Sequence, residues 1–357
     1  MKLTFAHKRI TGSLTVVPAR EFDFMEEMRQ FDVPESRALK LKAVMGYDKH
    51  RLVSAATCVS DLCVYGLEHI FQQGWLGRDD FDALILVTQS PDHFIPPTSN
   101  IIQGRLGLQQ DLLCMDINQG CAGFLVGLMQ AFLLLEQPAI RRVVLLNADV
   151  LSRKISRQDK NSYPLAGDAA SITVIEKDPQ APPIQANVKM DGSRCDALRI
   201  PAGGFRRPST PETAELEDVG EHNYRSQDHL WMDGTAVFNF VQVDVPPLIE
   251  ELLASAGMRH EQIDYYLFHQ PNRFMLEKLA DKIGVPRAKM PSNVVGQFGN
   301  SSGVTIPMAI TSNLAETLRT TAYQVCLAGF GVGLTWSSML MRLGPLAFCG
   351  MIEYPEE

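Results

Sequence analysis

The sequence predicts an α/β fold built from two duplicated halves, residues 1–178 and 179–357, and three observations carry that reading. Short aliphatic and β-branched runs (Ala83–Val87, Val143–Leu146, Ile172–Ile175, Tyr265–Phe268, Gln324–Leu327) alternate with longer helical stretches, the pattern of buried, mostly parallel strands. The order of elements then recurs: Asp82 returns as Asp264, Gly107 as Gly284 and Cys121 as Asn300, at offsets of 182, 177 and 179. Finally, 357 residues with 45% hydrophobic content can bury the core of two domains or one large one. A near-constant offset through successive elements is poorly explained by chance.

In the first half a helix-like stretch, Val53–Leu76, precedes FDALILVTQ, then NIIQGRLGL, then CMDINQGCAGFLVGLMQA. In the second, Ala236–Ala256 precedes IDYYLFHQP, then FMLEKLADKIGV, then NVVGQFGNSSGVTIPMAI. The halves also close alike, RRVVLLNADV and AASITVIEK corresponding to AYQVCLAGFG and LTWSSMLMR. Packed about a pseudo-twofold axis, they bring equivalent helix starts face to face. The stretch Ala202–Asp228 is rich in Pro, Gly and charge, and reads as a long surface excursion. A lid, a partner-binding loop and a solvated connection all fit it. The first 50 residues match neither half and carry no motif.

Cys121 falls between the strand Leu112–Ile117 and a helix start, flanked by Gly120, Ala122 and Gly123. A thiol at a helix N-terminus meets unpaired N–H groups and the positive end of the dipole, which lowers its pKa below the ~8.5 of a free thiol. The glycines permit a tight turn and the approach of a substrate. Taken alone, the residue is equally well a nucleophile or a small packing hydrophobe. His269 ends the strand YYLFH, where the carboxyl edge of a parallel sheet opens into a crevice. In isolation a histidine there more often satisfies a strand-end hydrogen bond. Asn300, in GQFGNSSGVTIP, is by itself a helix cap. The repeat changes the weighing, because it sends Cys121 and Asn300 to one cavity between the halves, with His269 at the adjacent strand end. GFGVG (329–333) lacks the G-x-G-x-x-G spacing and precedes a strand, so it reads as a turn lining the crevice whose N–H groups face an oxyanion.

Composition excludes several classes. A net charge of −8 opposes nucleic-acid binding. No apolar run is long enough to cross a bilayer, and MKLTFAHKRITGS has no signal-peptide core, so a cytoplasmic protein is expected. Seven cysteines without a C-x-x-C pair indicate reduced thiols and no metal site.

In this order, DINQGCAGF, HQPN and FGNSSGVTIPMA resemble the nucleophile, histidine and asparagine motifs of the β-ketoacyl-acyl-carrier-protein synthase III family of the thiolase superfamily. GDAASITV, MDGTAVFNF and LAGFGVGLTWSSMLMR resemble further segments, and the likeness runs from about Asp82 to Arg342. It implies the five-layered αβαβα thiolase fold. It also implies an acyltransferase whose Cys121 takes an acyl group from a thioester. His269 and Asn300 would then hydrogen-bond the carbonyl of a malonyl-type thioester through decarboxylation. The resulting carbanion would attack the acyl-cysteine and release a β-ketoacyl thioester for fatty-acid or specialised polyketide or lipid synthesis. The N–H groups of Cys121 and Val332 would form the oxyanion hole of acyl transfer.

The resemblance further implies carrier or substrate contacts at Gln270, Asn272, Arg273, Phe274, Phe94 and Phe238. Acyl-CoA or acyl-carrier-protein thioesters are the expected substrates, with no cofactor. A homodimer is implied because the loop Phe94–Pro96 corresponds to one that enters a partner's acyl pocket. There are departures. The family's early tryptophan, which stacks on the CoA adenine, has no counterpart among Trp75, Trp231 and Trp336, which favours a carrier-protein donor. The family's basic residue after the histidine falls at Phe274, with Arg273 beside it, Pro271 replaces a smaller residue, and Val332 stands where glycine is usual. The alternative is an acyltransferase passing the Cys121 acyl group to an oxygen or nitrogen nucleophile without a new C–C bond.

Overall fold

The computed structural model describes residues 1–355. Eleven strands make two large sheets: β1 Lys2–Phe5, β2 Lys8–Pro18, β3 Ala83–Val87, β4 Leu113–Ile117, β5 Arg142–Asp149, β6 Ala169–Lys177, β7 Ile184–Met190, β8 Tyr265–Phe268, β9 Tyr323–Gly331, β10 Thr335–Leu343 and β11 Phe348–Tyr354. One sheet runs β11-β2-β6-β5-β3-β4 and the other β1-β7-β10-β9-β8. Within them, β2-β6-β5-β3 and β7-β10-β9-β8 share one sequence of pairings: antiparallel, antiparallel, parallel. The repeat read from spacing is therefore a repeat of topology. Its paired aspartates also do the same work. Asp82 accepts the Arg142 N–H at 3.2 Å and Asp264 the Gln324 N–H at 2.8 Å, each fixing the start of the next parallel strand.

The expectation of mostly parallel strands needs correction, because both sheets are mixed. Only the short turn Val332–Leu334 joins β9 to β10, and so short a link permits only an antiparallel pair. These strands look parallel in sequence because both faces are covered. On β3, Ala83, Ile85 and Val87 enter one core while Leu84 and Leu86 enter another.

Three cores define five layers. Helices Gly123–Leu134 and Thr305–Leu314 lie between the sheets, sharing one core with inward residues of both, such as Leu145 and Leu327. Helices Val59–Gln72 and Thr98–Arg105 cover the outer face of the first sheet. Helices Gly234–Ala256 and Arg273–Ile283 cover the outer face of the second. The architecture is αβαβα. The termini cross between sheets: β1 pairs with β7 and β11 with β2, so each half of a chain divided at 178/179 lends one strand to the other's sheet.

The excursion after Ala202 folds back on the first half. It holds a short helix, Pro211–Ala214, and a two-residue ladder between Glu217–Asp218 and Tyr224–Arg225. Arg225 pairs with the fully buried Asp159 at 2.9 Å, and Tyr224 N–H donates to the Gln158 carbonyl. Among the described residues no helix is long and apolar enough to cross a membrane.

Candidate active site

Cys121 lies in the turn between β4 and the central helix, which begins at Gly123 with Ala122 at its cap. Its partly buried thiol is held by the second half of the chain. The N–H groups of Val332 and of Cys121 itself both reach the sulfur. Burial nevertheless dominates. Desolvation, with the Asp149 carboxylate adding to it, pushes the thiol up to about 11. The expected depression by the helix N-terminus is thereby overturned, and Cys121 rests as a thiol at neutral pH.

Gly331 explains part of the fit. A Cβ there would stand 2.7 Å from Cys121 Sγ, closer than any ordinary contact. Gly331→Ala is expected to displace the sulfur and slow its modification by acyl donors by about 100-fold, at a cost in stability of roughly 1–3 kcal/mol. Intact-mass kinetics and a thermal melt measure both, and a wild-type rate would refute the close-packing reading.

His269 continues the parallel ladder beyond β8, its N–H donating to the Ala328 carbonyl at 2.8 Å. The ring is 2% exposed and meets Phe330 edge-on at 5.7 Å. Burial holds its pKa down at about 4, so the imidazole is neutral. Nδ1 lies 2.7 Å from the Thr305 hydroxyl, which accepts the Gln270 N–H and also reaches the Ser302 carbonyl. That hydroxyl has one proton. When Nδ1 accepts it, the ring proton sits on Nε2 as a neutral donor.

Asn300 is clamped across the two halves: its N–H donates to the Leu165 carbonyl and its carbonyl accepts the Gly167 N–H. Gly299 makes the close approach possible, at φ +76° and with no room for a Cβ against the Ala166 carbonyl. The Asn300 side chain accepts the Ser302 N–H through Oδ1 at 3.0 Å. That unambiguous donor fixes the amide orientation and leaves its N–H₂ free of a protein acceptor among the described residues. The N-terminal segment braces this loop from behind. Buried His50 bonds the Ala166 carbonyl at 2.8 Å through Nδ1 and Glu27 at 2.9 Å through Nε2.

Ser302 joins all three residues. Its hydroxyl faces the Cys121 thiol, its N–H holds Asn300, and its carbonyl faces the His269 ring. It does so at φ +57°, a left-handed conformation that serine adopts at some cost. Neither Ser302 nor Thr305 is marked by sequence spacing, since both lie in a motif read for its asparagine. Asp149 could have been found, because it ends β5 as His269 follows β8, at the edge where functional residues gather.

The other expected contacts divide. Gln270 is 1% exposed, and its amide nitrogen donates to the Phe268 and Pro291 carbonyls. It braces the loop through that nitrogen, while its buried Oε1 has no hydrogen-bond partner. Asn272 caps the helix Arg273–Ile283, accepting the Met275 N–H at 2.8 Å. Arg273 packs against Gly46, and Phe274 stacks on Phe238 at 5.9 Å with Lys278 over its ring. Phe94 is 74% exposed and lies 5.5 Å from Phe205 of the excursion. It borders a cavity of about 600 Å³ shared with Ser90, Val150 and Arg153.

Comparison with known proteins follows the same lines. The family described as 3-oxoacyl-[acyl-carrier-protein] synthase III matches residues 115–192, and its C-terminal region matches 253–343. A beta-ketoacyl-[acyl-carrier-protein] synthase III of Synechocystis sp. is 31% identical over 297 residues, covering 83% of this chain and 87% of the relative. A putative 3-oxoacyl-[acyl-carrier-protein] synthase 3 of Campylobacter jejuni is 28% identical over the whole of both chains, 358 aligned residues. The crystal structure of a 3-oxoacyl-(acyl-carrier protein) synthase from Burkholderia xenovorans superimposes with a TM-score of 0.91 at 33% identity, covering 99% of each chain.

Proposed function

This chain belongs to the 3-oxoacyl-[acyl-carrier-protein] synthase III family of the thiolase superfamily, and from that premise we propose that it catalyses a decarboxylating Claisen condensation on Cys121. The single observation carrying the reading is the convergence of Cys121, His269 and Asn300 on Ser302. A thioester donor passes its acyl group to Cys121, whose sulfur becomes a thioester while the N–H groups of Cys121 and Val332 stabilise the tetrahedral oxyanion. A malonyl-type thioester then places its carbonyl against His269 Nε2–H and the Asn300 amide. Loss of CO₂ leaves an enolate whose charge those two neutral donors hold. Its carbon attacks the acyl-Cys121 carbonyl and the cysteine departs. Neutrality of His269 supports this role, since a donor of fixed charge keeps its function across the working pH range.

An acidic carrier protein is the proposed bearer of the thioesters. Lys278, over the Phe274 ring of the Phe274–Phe238 stack, would face its surface together with the neighbouring Arg273. A homodimer is also proposed, with the exposed Phe94, Ile95 and Phe205 as part of its contact. The alternative, transfer to an oxygen or nitrogen nucleophile, makes no use of Asn300. Carboxyl-labelled malonyl-carrier protein supplied with an acyl donor separates the two. Labelled CO₂ released in step with a β-ketoacyl thioester is the expected result. Acyl transfer to an alcohol or amine without CO₂ would establish the alternative.

A further inference from the structure

Two buried polar atoms beside the nucleophile lack a partner, and both lie outside the condensation chemistry just described. Asp149 is fully buried and unevenly bonded. Its Oδ1 accepts the Gln89 N–H at 2.7 Å, the Ser90 hydroxyl at 3.1 Å and the Thr88 hydroxyl at 3.3 Å. Its Oδ2 makes no well-formed hydrogen bond, and neither does the buried Ser302 Oγ, which faces both that carboxyl and the Cys121 thiol. Orphaned groups of this kind are costly, and a native structure keeps them where they act. The Ser302 N–H is committed to Asn300 Oδ1, and its left-handed φ holds the hydroxyl between sulfur and carboxylate.

Resting on Cys121 as the nucleophile of the proposed condensation, we propose that Ser302 and Asp149 form a proton path for that thiol. As the sulfur attacks the donor, its proton passes to Ser302 Oγ while the Ser302 hydroxyl proton passes to Asp149 Oδ2. The S–C bond of the donor breaks, and the departing thiolate takes a proton from solvent. In the second half-reaction the new C–C bond forms at the acyl carbonyl, the S–C bond to Cys121 breaks, and the departing Cys121 thiolate takes its proton back from Asp149 through Ser302. The cycle thus consumes one proton per CO₂ released, and both groups end as they began. Ser302 faces the reacting sulfur, while Asp149 acts through it.

His269 is the other base within reach, but its Nδ1 is occupied by Thr305 and burial keeps it a weak proton acceptor. Burial instead raises Asp149 to about 7, a better match to a buried thiol. Taking up the proton also extinguishes the Asp149 charge that helps to hold the thiol protonated. Around Asp149, the segment Thr88–Ser90 and Ser302 contribute uncharged groups, and Cys121 is the titratable side chain that faces it.

Alkylation of Cys121 by iodoacetamide, followed by peptide mapping across pH with Cys121→Ala as blank, tests the path. In the wild type the rate should rise with an inflection near the Asp149 value. In Asp149→Asn that inflection should disappear and the rate at pH 7 fall by about 100-fold. A mere charge effect has the opposite sign, since removing the carboxylate would ease ionisation of the thiol and speed alkylation. Ser302→Gly, which suits the left-handed φ, keeps the fold and should slow alkylation by a similar factor. It decides the matter alone if Asp149→Asn fails to fold. An Asp149→Asn rate at or above wild type, or an unchanged Ser302→Gly rate, overturns the path. Iodoacetamide needs no acyl donor, so the two readings fail separately. Acyl adducts with wild-type alkylation in the variants sink the path alone, whereas slowed alkylation with no adduct from any donor sinks the condensation alone.

Discussion

Cys121→Ala is expected to carry no acyl group from any thioester donor and to lower condensation by about 10⁵-fold or more, the scale on which loss of a covalent nucleophile acts. Cys63 and Cys326 are buried in the cores, and Cys195 is exposed on the surface. Only Cys121 has the Val332 N–H and its own aimed at the sulfur. The variant should fold, since removing one sulfur atom costs on the order of 1 kcal/mol. Its malonyl decarboxylation should persist, because His269 and Asn300 act on the other half-reaction. Intact-mass analysis after incubation with acyl donors, beside a CO₂ assay, measures both. An adduct of unchanged mass on the alanine variant would remove Cys121 from the mechanism.

His269→Ala and Asn300→Ala should do the reverse, each lowering decarboxylation by about 10²- to 10³-fold while acylation of Cys121 continues. Each loss removes one donor from the developing enolate oxygen. Asn300→Asp should behave like the alanine variant, because an ionised carboxylate presents only acceptors. The pH dependence has a definite sign. Burial lowers His269 from 6.5 to about 4, so the unfolded chain binds a proton before the native one does. The stability tied to neutral His269 is present above about pH 6.5 and is lost as pH falls towards about 4. Decarboxylation should therefore show no histidine inflection between pH 5 and 8. An inflection near 6.5 that vanishes in His269→Ala would contradict the buried, neutral donor.

Much of this was legible in the chain. The repeat carried its own evidence, because Asp82 and Asp264 serve the same local purpose at the start of two parallel strands. Turn glycines, strand ends and helix starts are local features that the chain writes out directly, and the repeat and the likeness of three motifs singled out Cys121, His269 and Asn300 among them. Strand direction was less legible. A buried antiparallel strand such as β10 carries the same apolar run as a parallel one once both faces are covered. The structural duties of Gln270 and Asn272 were illegible for a related reason. A polar side chain in a functional motif looks alike whether it meets a substrate, a backbone carbonyl or a helix end.

The sequence by itself determined the α/β class, the duplication, the family and the three residues that meet in the crevice. The class, the duplication and the meeting of the three residues rest on periodicity and spacing along one chain, and the family on the likeness of DINQGCAGF, HQPN and FGNSSGVTIPMA to its motifs. Only the tertiary structure decided the mixed sheets, the exchanged terminal strands, the protonated state of Cys121 and the placement of Ser302 and Asp149 beside it. Those depend on burial and on distances between segments far apart in sequence. The stretch around Cys121 announces a helix start that should favour a thiolate, and nothing in it shows that the sulfur will be desolvated next to a carboxylate. Desolvation and Coulomb repulsion act through space, and here they outweigh what the local backbone offers.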